Sequence, residues 1–415
     1  MPRVIGIRRE DKNRWERRVP LTPEHVAELT RHGVAVAVER STVRVFSDEA
    51  FRAAGARIVD DLSSCPLVVG VKEVPALRLS PETTYLFFAH VTKGQPANMP
   101  MLRRLMELRC SLIEYEKIVD DRGRRLVFFG RHAGLAGMLD TLAILGRRLM
   151  WEGVDSPFAS LRLAHEYADL EEAHAELARV ASRIRRDGVP VSLHPLVIGF
   201  TGSGNASKGA QEIFEHLPYE EVVPEDLPSL SGNADLPRNI LYKVVFARAD
   251  RFRGALAPQL RHLTVLVNGI YWEPGHPRVV GLDDLCALFS GDAAPRLRVI
   301  GDISCDLQGS IEANVKVTTP DDPVYVYDVV SGEAVSGVAG RGPVILAVDN
   351  LPCELPVDAS QHFGDALLRF VPALARCDWS RPFESLDVGD EILRAIVVHR
   401  GCLTPRYASL ARHLA

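Results

Sequence analysis

Apolar and polar residues alternate in short blocks along the N-terminal third of the chain. Residues 4–7 (VIGI) are an apolar run that predicts a strand, and Thr22-Pro23 supplies an N-cap and a first-turn proline for a helix to about Arg31. Apolar runs at Leu67–Val71 and Thr84–Phe88 predict further strands. Strands that alternate with helices are typical of a parallel sheet, so we expect an α/β fold.

A second block of strands begins near Pro195. The apolar residues 196–200 (LVIGF) precede the Gly-rich stretch Thr201–Gly209, which leads into a helix to about His216. Strand, glycine-rich turn and helix in this order begin a dinucleotide-binding domain. Further strands are predicted at Ile240–Val245, Leu263–Val267, Leu297–Ile300 and Val344–Val348. Helices are predicted at Ala133–Met150, Leu170–Arg186, Phe363–Leu374 and Asp390–Val397.

This order predicts two Rossmann-like doubly wound parallel-sheet domains with a cleft between them. We expect residues 1–150 with 350–415 to form the substrate and catalytic domain, and residues 151–349 to form the NAD(P)-binding domain.

Composition narrows the class of protein. The 415 residues are 47% hydrophobic and 25% charged with a net charge of −5, which is typical of a globular protein and gives no basic field for nucleic acid. No apolar run is long enough to cross a membrane, and the N-terminus alternates like a strand, so we expect a cytoplasmic protein without membrane contact. The seven cysteines include no CxxC pair, so we expect no metal site.

The Gly-rich loop is the candidate cofactor site. Gly202 and Gly204 would let the backbone approach a diphosphate, with Asn205 and Ala206 at the start of the next helix. Ser207 replaces the third glycine of the fingerprint, so a Gly-rich surface turn is the alternative. The tip of the following strand is predicted at Pro224, where no carboxylate would repel a 2′-phosphate, so NADP is admissible.

Lys72 and His90 are the candidate catalytic pair. Lys72 closes the apolar run 68–71, and His90 closes the run 85–89. Because the carboxyl ends of parallel strands face the ligand crevice, both side chains should point to one place. A lysine near a charged histidine in a cleft would have a lowered pKa, as a general acid or base requires. A solvated lysine and a structural histidine are the plainer alternative for each residue alone.

Other polar residues extend these two sites. The same constellation in the N-terminal half contains Arg18, Glu73, Lys93, Gln95 and Glu116. In the second half, predicted crevice-lining turns follow strands at Asn268–Trp272, Asp302–Asp306 and Asp349–Pro352.

On these segments the sequence resembles the lysine–ketoglutarate reductase half of α-aminoadipic semialdehyde synthase and, more distantly, saccharopine and alanine dehydrogenases. The matching segments include Arg8–Asp11, Trp15–Arg18, Gly70–Lys72, Phe88–His90, Tyr115–Lys117, Phe129-Gly130, Thr201–Gln211, Asn268–Glu273, Asp302–Ser304 and Phe363–Asp365.

The resemblance implies roles for individual residues. Lys72 and His90 would be the acid/base pair, Arg18 and Gln95 would hold substrate carboxylates, and Phe129 would lie against the substrate. Contacts with the dinucleotide are implied for Arg124, Asn205, Ala206, Ser304 and Asp306, and Ser207 resembles the residue of the reductase branch. That branch resembles NADP users, with NAD as the other option.

The implied reaction is an NADPH-dependent condensation of lysine with 2-oxoglutarate to saccharopine, which is reversible. The partners would be an amino acid and a 2-oxo acid, with a homo-oligomer left open. Arg131-His132 in place of a more apolar pair, and a shorter segment before Asn268, favour an alternative opine-type reductase with another amine and oxo acid. A non-catalytic dinucleotide-binding sensor is the third hypothesis.

Overall fold

The computed structural model describes residues 4–231, 233–247, 256–273, 275–290 and 295–414. The chain divides into two units, Met1–Phe129 with Pro356–Ala415 (unit 1) and Gly130–Leu355 (unit 2). The first boundary lies just before the long helix that begins at Gly130, since this helix packs on strands and helices of unit 2. The sequence predicts the boundary at residue 150 instead. No helix in the described ranges is both long and apolar enough to cross a membrane.

The strands are β1 Val4–Ile7, β2 Ala35–Glu39, β3 Arg57–Val59, β4 Leu67–Val69, β5 Thr84–Phe87, β6 Ser111–Glu114, β7 Val197–Thr201, β8 Tyr219–Val222, β9 Leu241–Phe246, β10 Val265–Asn268, β11 Val299–Asp302, β12 Val324–Asp328, β13 Glu333–Ser336, β14 Val344–Leu346, β15 Ile396–His399 and β16 Cys402–Leu403. The α-helices are α1 Pro23–Arg31, α2 Asp48–Ala53, α3 Met99–Glu107, α4 Gly130–Trp151, α5 Leu170–Asp187, α6 Asn205–Phe214, α7 Leu227–Leu230, α8 Leu282–Phe289, α9 Pro356–Leu368, α10 Val371–Arg376 and α11 Asp390–Leu393.

Unit 1 is built on a sheet of six parallel strands in the order β3-β2-β1-β4-β5-β6. Beside β6 lies β15, which is antiparallel to it, and β16 pairs antiparallel with β15 at the edge. This is the doubly wound Rossmann order. Every residue of β4 and β5 is buried. The apolar runs of the sequence predict this burial, because such runs are typical of strands covered on both faces.

Unit 2 contains a second sheet whose parallel strands run in the order β8-β9-β7-β10-β11-β14. The prediction of two doubly wound α/β sheets is confirmed. The expected place of Pro224 is wrong, however, because β9 lies between β7 and β8 and makes β8 an edge strand. The tip of β8 is therefore not beside the Gly-rich loop that follows β7.

The C-terminal segment differs from its predicted helices. The helix predicted over Phe363–Leu374 is two helices, α9 and α10, because Pro372 has no N–H to donate to the carbonyl of Leu368 and its ring would clash with that carbonyl. The helix predicted over Asp390–Val397 ends at Leu393, and the fully buried run Ile396–His399 pairs antiparallel with β6 instead. Its β-branched side chains suit a buried strand.

Two buried carboxyl groups in unit 2 share one environment. Asp140 on α4 accepts a hydrogen bond of 2.7 Å from the Ala164 backbone N–H, and Glu354 lies 3.3 Å from Nδ1 of His165. Burial is the main cause that raises the pKa of both carboxyl groups, that of Glu354 to about 8. The pair therefore keeps a proton at neutral pH.

We expect Glu354→Gln to stabilise the protein at alkaline pH. An acid whose folded-state pKa is raised costs no stability below its unfolded pKa, and the cost grows as the pH rises toward the folded value. The variant should gain on the order of 4 kcal/mol in unfolding free energy at pH 8 and nearly nothing at pH 4.5. Urea unfolding at both pH values measures this, and an equal gain at both would contradict the raised pKa.

Candidate active site

The two candidate catalytic side chains follow neighbouring strands of unit 1. Lys72 lies just beyond β4 and His90 just beyond β5, and these strands pair in parallel. The sheet therefore brings both residues to the same edge, as parallel topology predicts.

His90 is paired with Glu73. Its Nδ1 lies 2.8 Å from Oε1 of Glu73, and a third of the imidazole side chain is exposed. Burial acts to raise the pKa of Glu73, but the hydrogen bond with His90, a hydrogen bond from the Glu73 backbone N–H and the charge of Lys12 together outweigh it and lower that pKa to about 2. An ionised Glu73 fixes the proton on Nδ1, which leaves Nε2 as the nitrogen that can exchange a proton.

Lys72 occupies a largely buried environment that contains charges of both signs. Burial first, and the charge of Arg18 second, lower the pKa of its ammonium, and the carboxylate of Glu16 opposes this shift. Among the described residues its ammonium makes no ion pair. A lysine in such a place loses its proton more readily than one in water, which suits proton exchange.

Arg18 joins this site to an aromatic cluster. Its guanidinium binds Glu16 through Nε and Nη2 at 2.7 and 2.5 Å, and both side chains are almost fully buried. The guanidinium also lies 4.2 Å from the ring centre of Phe129, which stacks on Phe363 at 4.3 Å. The aromatic cluster consists of Phe88, Tyr115, Phe129 and Phe363.

Four other predicted residues of unit 1 have local partners. Oε1 of Gln95 accepts the backbone N–H of Lys93 at 3.1 Å, whereas the Lys93 side chain is exposed. Glu116 forms an ion pair of 2.9 Å with Arg125 and does not contact His90 through any described hydrogen bond. Arg124 is 72% exposed and binds Asp120 at 2.7 Å.

Sequence reasoning missed three buried carboxylates in this region, Glu10, Glu16 and Glu114. Glu10 and Glu16 lie in segments that carry the family resemblance, and Glu114 lies beside one. Glu10 and Glu114 accept backbone N–H groups, and Glu16 pairs with Arg18, a residue of the predicted site. Their position is the sign that the sequence offers. Glu10 follows a strand, Glu114 ends a strand, and Glu16 lies two residues before Arg18.

The Gly-rich loop of unit 2 connects β7 to α6. Gly202 has a φ of +83°, which favours glycine, and its N–H donates to the carbonyl of Phe246 at the end of β9. Gly204 is the N-cap of α6, so Asn205 and Ala206 are the first residues of that helix. Ser207 is buried, and its Oγ accepts a hydrogen bond from Gln211.

The loop fits a dinucleotide diphosphate. A Cβ at Gly204 would meet no atom within 4 Å, and the N-cap offers no side-chain acceptor to the first N–H groups of α6. An anion at a helix start is stabilised by those N–H groups and by the helix dipole. By contrast, a Cβ at Gly209 would overlap the carbonyl oxygen of Arg131 on α4, so this glycine permits helix packing.

Asn268 is the centre of a polar network at the same edge of the sheet. Its side chain accepts from Thr201 Oγ1 at 2.6 Å and donates toward Asp302, Ser304 and Ser310 at 2.7–2.9 Å. The network thus links the carboxyl ends of β7, β10 and β11. The predicted residues Asn268 and Ser304 lie together here, with Asp306 two residues beyond Ser304.

An N-terminal and a C-terminal segment of the chain match the two domain models of one enzyme family. The alanine dehydrogenase/PNT N-terminal domain matches residues 6–136, and the alanine dehydrogenase/PNT C-terminal domain matches residues 296–406. The chain belongs to the alanine dehydrogenase/PNT family. The prediction of an NAD(P)-dependent oxidoreductase is confirmed at the level of this family.

Individual relatives agree with this assignment. The chain is 36% identical over 440 aligned positions to the mitochondrial alpha-aminoadipic semialdehyde synthase of Bos taurus, with 97% of this chain and 47% of that protein covered. It therefore spans about half the length of that synthase. It is 29% identical to the Neurospora crassa saccharopine dehydrogenase [NAD(+), L-lysine-forming], with 88% and 90% covered. An L-alanine dehydrogenase structure shares the fold with a TM-score of 0.65 at 20% identity, covering 99% of this chain and 100% of that chain.

Proposed function

We propose that this chain is an NADPH-dependent lysine–2-oxoglutarate reductase that forms saccharopine reversibly. The observation that carries the proposal is the set of Lys72, the His90–Glu73 pair and Arg18 at one sheet edge of unit 1. The name of one relative supplies saccharopine and lysine, and 2-oxoglutarate is the oxo acid that the family resemblance implies. NADPH, when bound, supplies the hydride that reduces the imine.

The residues of unit 1 account for the proton transfers. The ε-ammonium of the lysine substrate loses a proton, and its nitrogen then forms a bond with the oxo carbon of 2-oxoglutarate. The resulting hydroxyl leaves as water after it receives a proton, and the C=N bond accepts the hydride at carbon. Nε2 of His90 and Nζ of Lys72 are the two groups that exchange these protons, and their roles reverse with direction.

In unit 2 the proposed cofactor contacts are Gly202, Gly204, Asn205, Ala206, Ser207, Asn268, Ser304 and Asp306, with Arg124 of unit 1 as a further candidate. The preference for NADP over NAD is supported by Ala247, the residue that directly follows β9, since β9 is the strand beside β7 and alanine has no carboxylate to repel a 2′-phosphate. A cytoplasmic location and a homo-oligomer complete the proposal.

The opine-type alternative depends on Arg131 and His132 as free cations near the substrate, and their surroundings do not favour that role. Arg131 is paired with Glu212 on α6, with Nε 2.9 Å from Oε2, and His132 is almost fully buried. Arg131 is therefore neutralised within unit 2 and is a poor candidate for a second carboxylate clamp.

An assay of NADPH oxidation with a matrix of amines and 2-oxo acids tests the proposal. We expect turnover that requires both lysine and 2-oxoglutarate, with NADH as a weaker reductant. Turnover with another pair only would establish the opine-type reductase. Tight NADPH binding without turnover for any pair would establish the sensor. Lys72→Met serves as the blank for contaminating dehydrogenases.

Two glycine variants test the cofactor loop. Gly209→Ala should lower the unfolding free energy by about 1–3 kcal/mol, because its Cβ overlaps the backbone of α4. Gly204→Ala should leave stability within about 0.5 kcal/mol, because its Cβ meets open space and its φ is −77°. It should nevertheless weaken NADPH binding about tenfold or more, because the Cβ occupies the approach of the diphosphate. Calorimetric unfolding and fluorescence titration measure both effects, and unchanged NADPH affinity in Gly204→Ala would remove the loop from the cofactor site.

A further inference from the structure

Two buried carboxylates to which the reaction assigns no proton lie beneath the candidate catalytic loops. Glu10 follows β1 and has 2% of its side chain exposed, and Glu114 ends β6 and is fully buried. The strands β1 and β6 are the outer neighbours of β4 and β5, so each glutamate stands beside one of the two catalytic loops.

Glu10 holds the loop after β4. Its Oε1 accepts the backbone N–H of Val71 at 2.8 Å, and its Oε2 accepts the backbone N–H of Lys72 at 2.9 Å. Nη1 of Arg8 lies 3.3 Å from the same Oε2. A Cβ at Gly70 would overlap the Arg8 side chain, so the glycine allows this arginine to reach the carboxylate. The carboxylate thus fixes two consecutive peptide groups at the residue that carries the catalytic amine.

Glu114 holds the loop after β5 in the same way. Its Oε2 accepts the backbone N–H groups of Ala89 and His90 at 3.0 and 2.8 Å, and its Oε1 accepts the N–H of Glu116 at 3.2 Å. His90 has a φ of +50°, in the left-handed region that costs a side-chain-bearing residue about 1 kcal/mol or more. The bonds from Glu114 offset this cost and hold the imidazole toward Glu73.

We propose that Glu10 and Glu114 are positioning residues, each of which fixes the backbone of one catalytic side chain, Lys72 for Glu10 and His90 for Glu114. The inference rests on the proposed function. It assigns to the two glutamates the orientation of the catalytic side chains and no part in the choice of substrate. A carboxylate binds N–H groups about twice as strongly as a neutral acceptor does, so two buried acids hold these loops more firmly than neutral side chains would. Burial raises the pKa of both carboxyl groups, that of Glu114 to about 7, and the N–H groups that each accepts oppose this rise.

Double-mutant cycles test the two assignments. Glu114→Gln should lower kcat about tenfold or more, since ångström-scale misplacement of a catalytic group costs up to about 10²-fold, while the Kd for NADPH stays unchanged. In a His90→Gln background the same substitution should change kcat less than about twofold, because the group it positions is gone. Glu10→Gln should behave likewise in a Lys72→Met background. Glu107→Gln, which alters an exposed ion pair with Arg104 on α3, is the matched control and should leave kcat unchanged.

The cross combinations decide between positioning and general damage. Glu114→Gln should keep its full effect on kcat in the Lys72→Met background, and Glu10→Gln should keep its effect in the His90→Gln background. Equal losses in every background, or losses explained by a lower Tm alone, would overturn the inference.

The assay uses whichever substrate pair the panel identifies, so a wrong substrate leaves the test intact. If no pair turns over, the proposed function fails, and backbone NMR decides the inference. In Glu114→Gln the amide protons of Ala89 and His90 should then move upfield, and unchanged resonances would overturn it.

Discussion

Lys72→Met should lower kcat by about 10²-fold or more while the folded structure and NADPH affinity persist. Methionine keeps the length and apolar stem of lysine but removes the amine that exchanges a proton. The lowered pKa of Lys72, caused by burial and by Arg18, means that this amine titrates closer to the working pH than a free lysine does. The limb of the kcat/KM profile that belongs to this group should therefore disappear in the variant.

Steady-state kinetics from pH 6 to pH 10, with far-UV circular dichroism and an NADPH titration on the same preparation, measure these effects. Lys117→Met is the matched control, because Lys117 lies in a 3₁₀ turn and has no part in the proposed site. A kcat within threefold of wild type in Lys72→Met would remove this residue from the chemistry. His90→Gln should lose activity to a similar degree but keep the lysine limb of the profile.

Most of the strands could be predicted from the local sequence, because both sheets are covered on two faces. Strands such as β4 and β5 are then buried at every position and mostly apolar, and such runs are visible in the sequence without knowledge of the neighbouring strand. The order of the strands in a sheet could not be predicted in this way, because the residues of one strand do not specify which strand lies beside it. The polar character of β8, with two exposed glutamates in four residues, was the available sign that it lies at an edge, whereas β9 is almost entirely buried.

The candidate site was predictable where residue type and strand end coincide, as at Lys72 and His90. It was not predictable where a residue acts through backbone groups of another strand. The bonds from Val71 to Glu10 and from His90 to Glu114 span 61 and 24 residues, so they exist only after the sheet has formed. The ion pair of Arg18 with Glu16 was also missed, because sequence reasoning assigned the whole guanidinium to a substrate carboxylate.

That ion pair makes Arg18→Leu the most destabilising substitution that we expect in unit 1. Removal of the guanidinium leaves the fully buried carboxylate of Glu16 without its bidentate partner, and breaking a buried pair costs about 3–5 kcal/mol. The variant also loses the cation packed on Phe129. Urea unfolding should show the loss, and an unfolding free energy within about 1 kcal/mol of wild type would contradict the buried pair.

The double variant Glu16→Leu/Arg18→Leu separates this structural role from substrate binding. Replacement of both charges also removes the buried carboxylate that has lost its bidentate arginine, so most of the lost stability should return. If Arg18 also binds a substrate carboxylate, as we propose, the KM for the 2-oxo acid should remain raised about 10- to 100-fold in the double variant, since a charged hydrogen bond contributes about 1.5–3 kcal/mol. Recovery of both stability and KM would mean that Arg18 serves Glu16 alone, and the carboxylate clamp would then have to be sought in another cation of the same sheet edge.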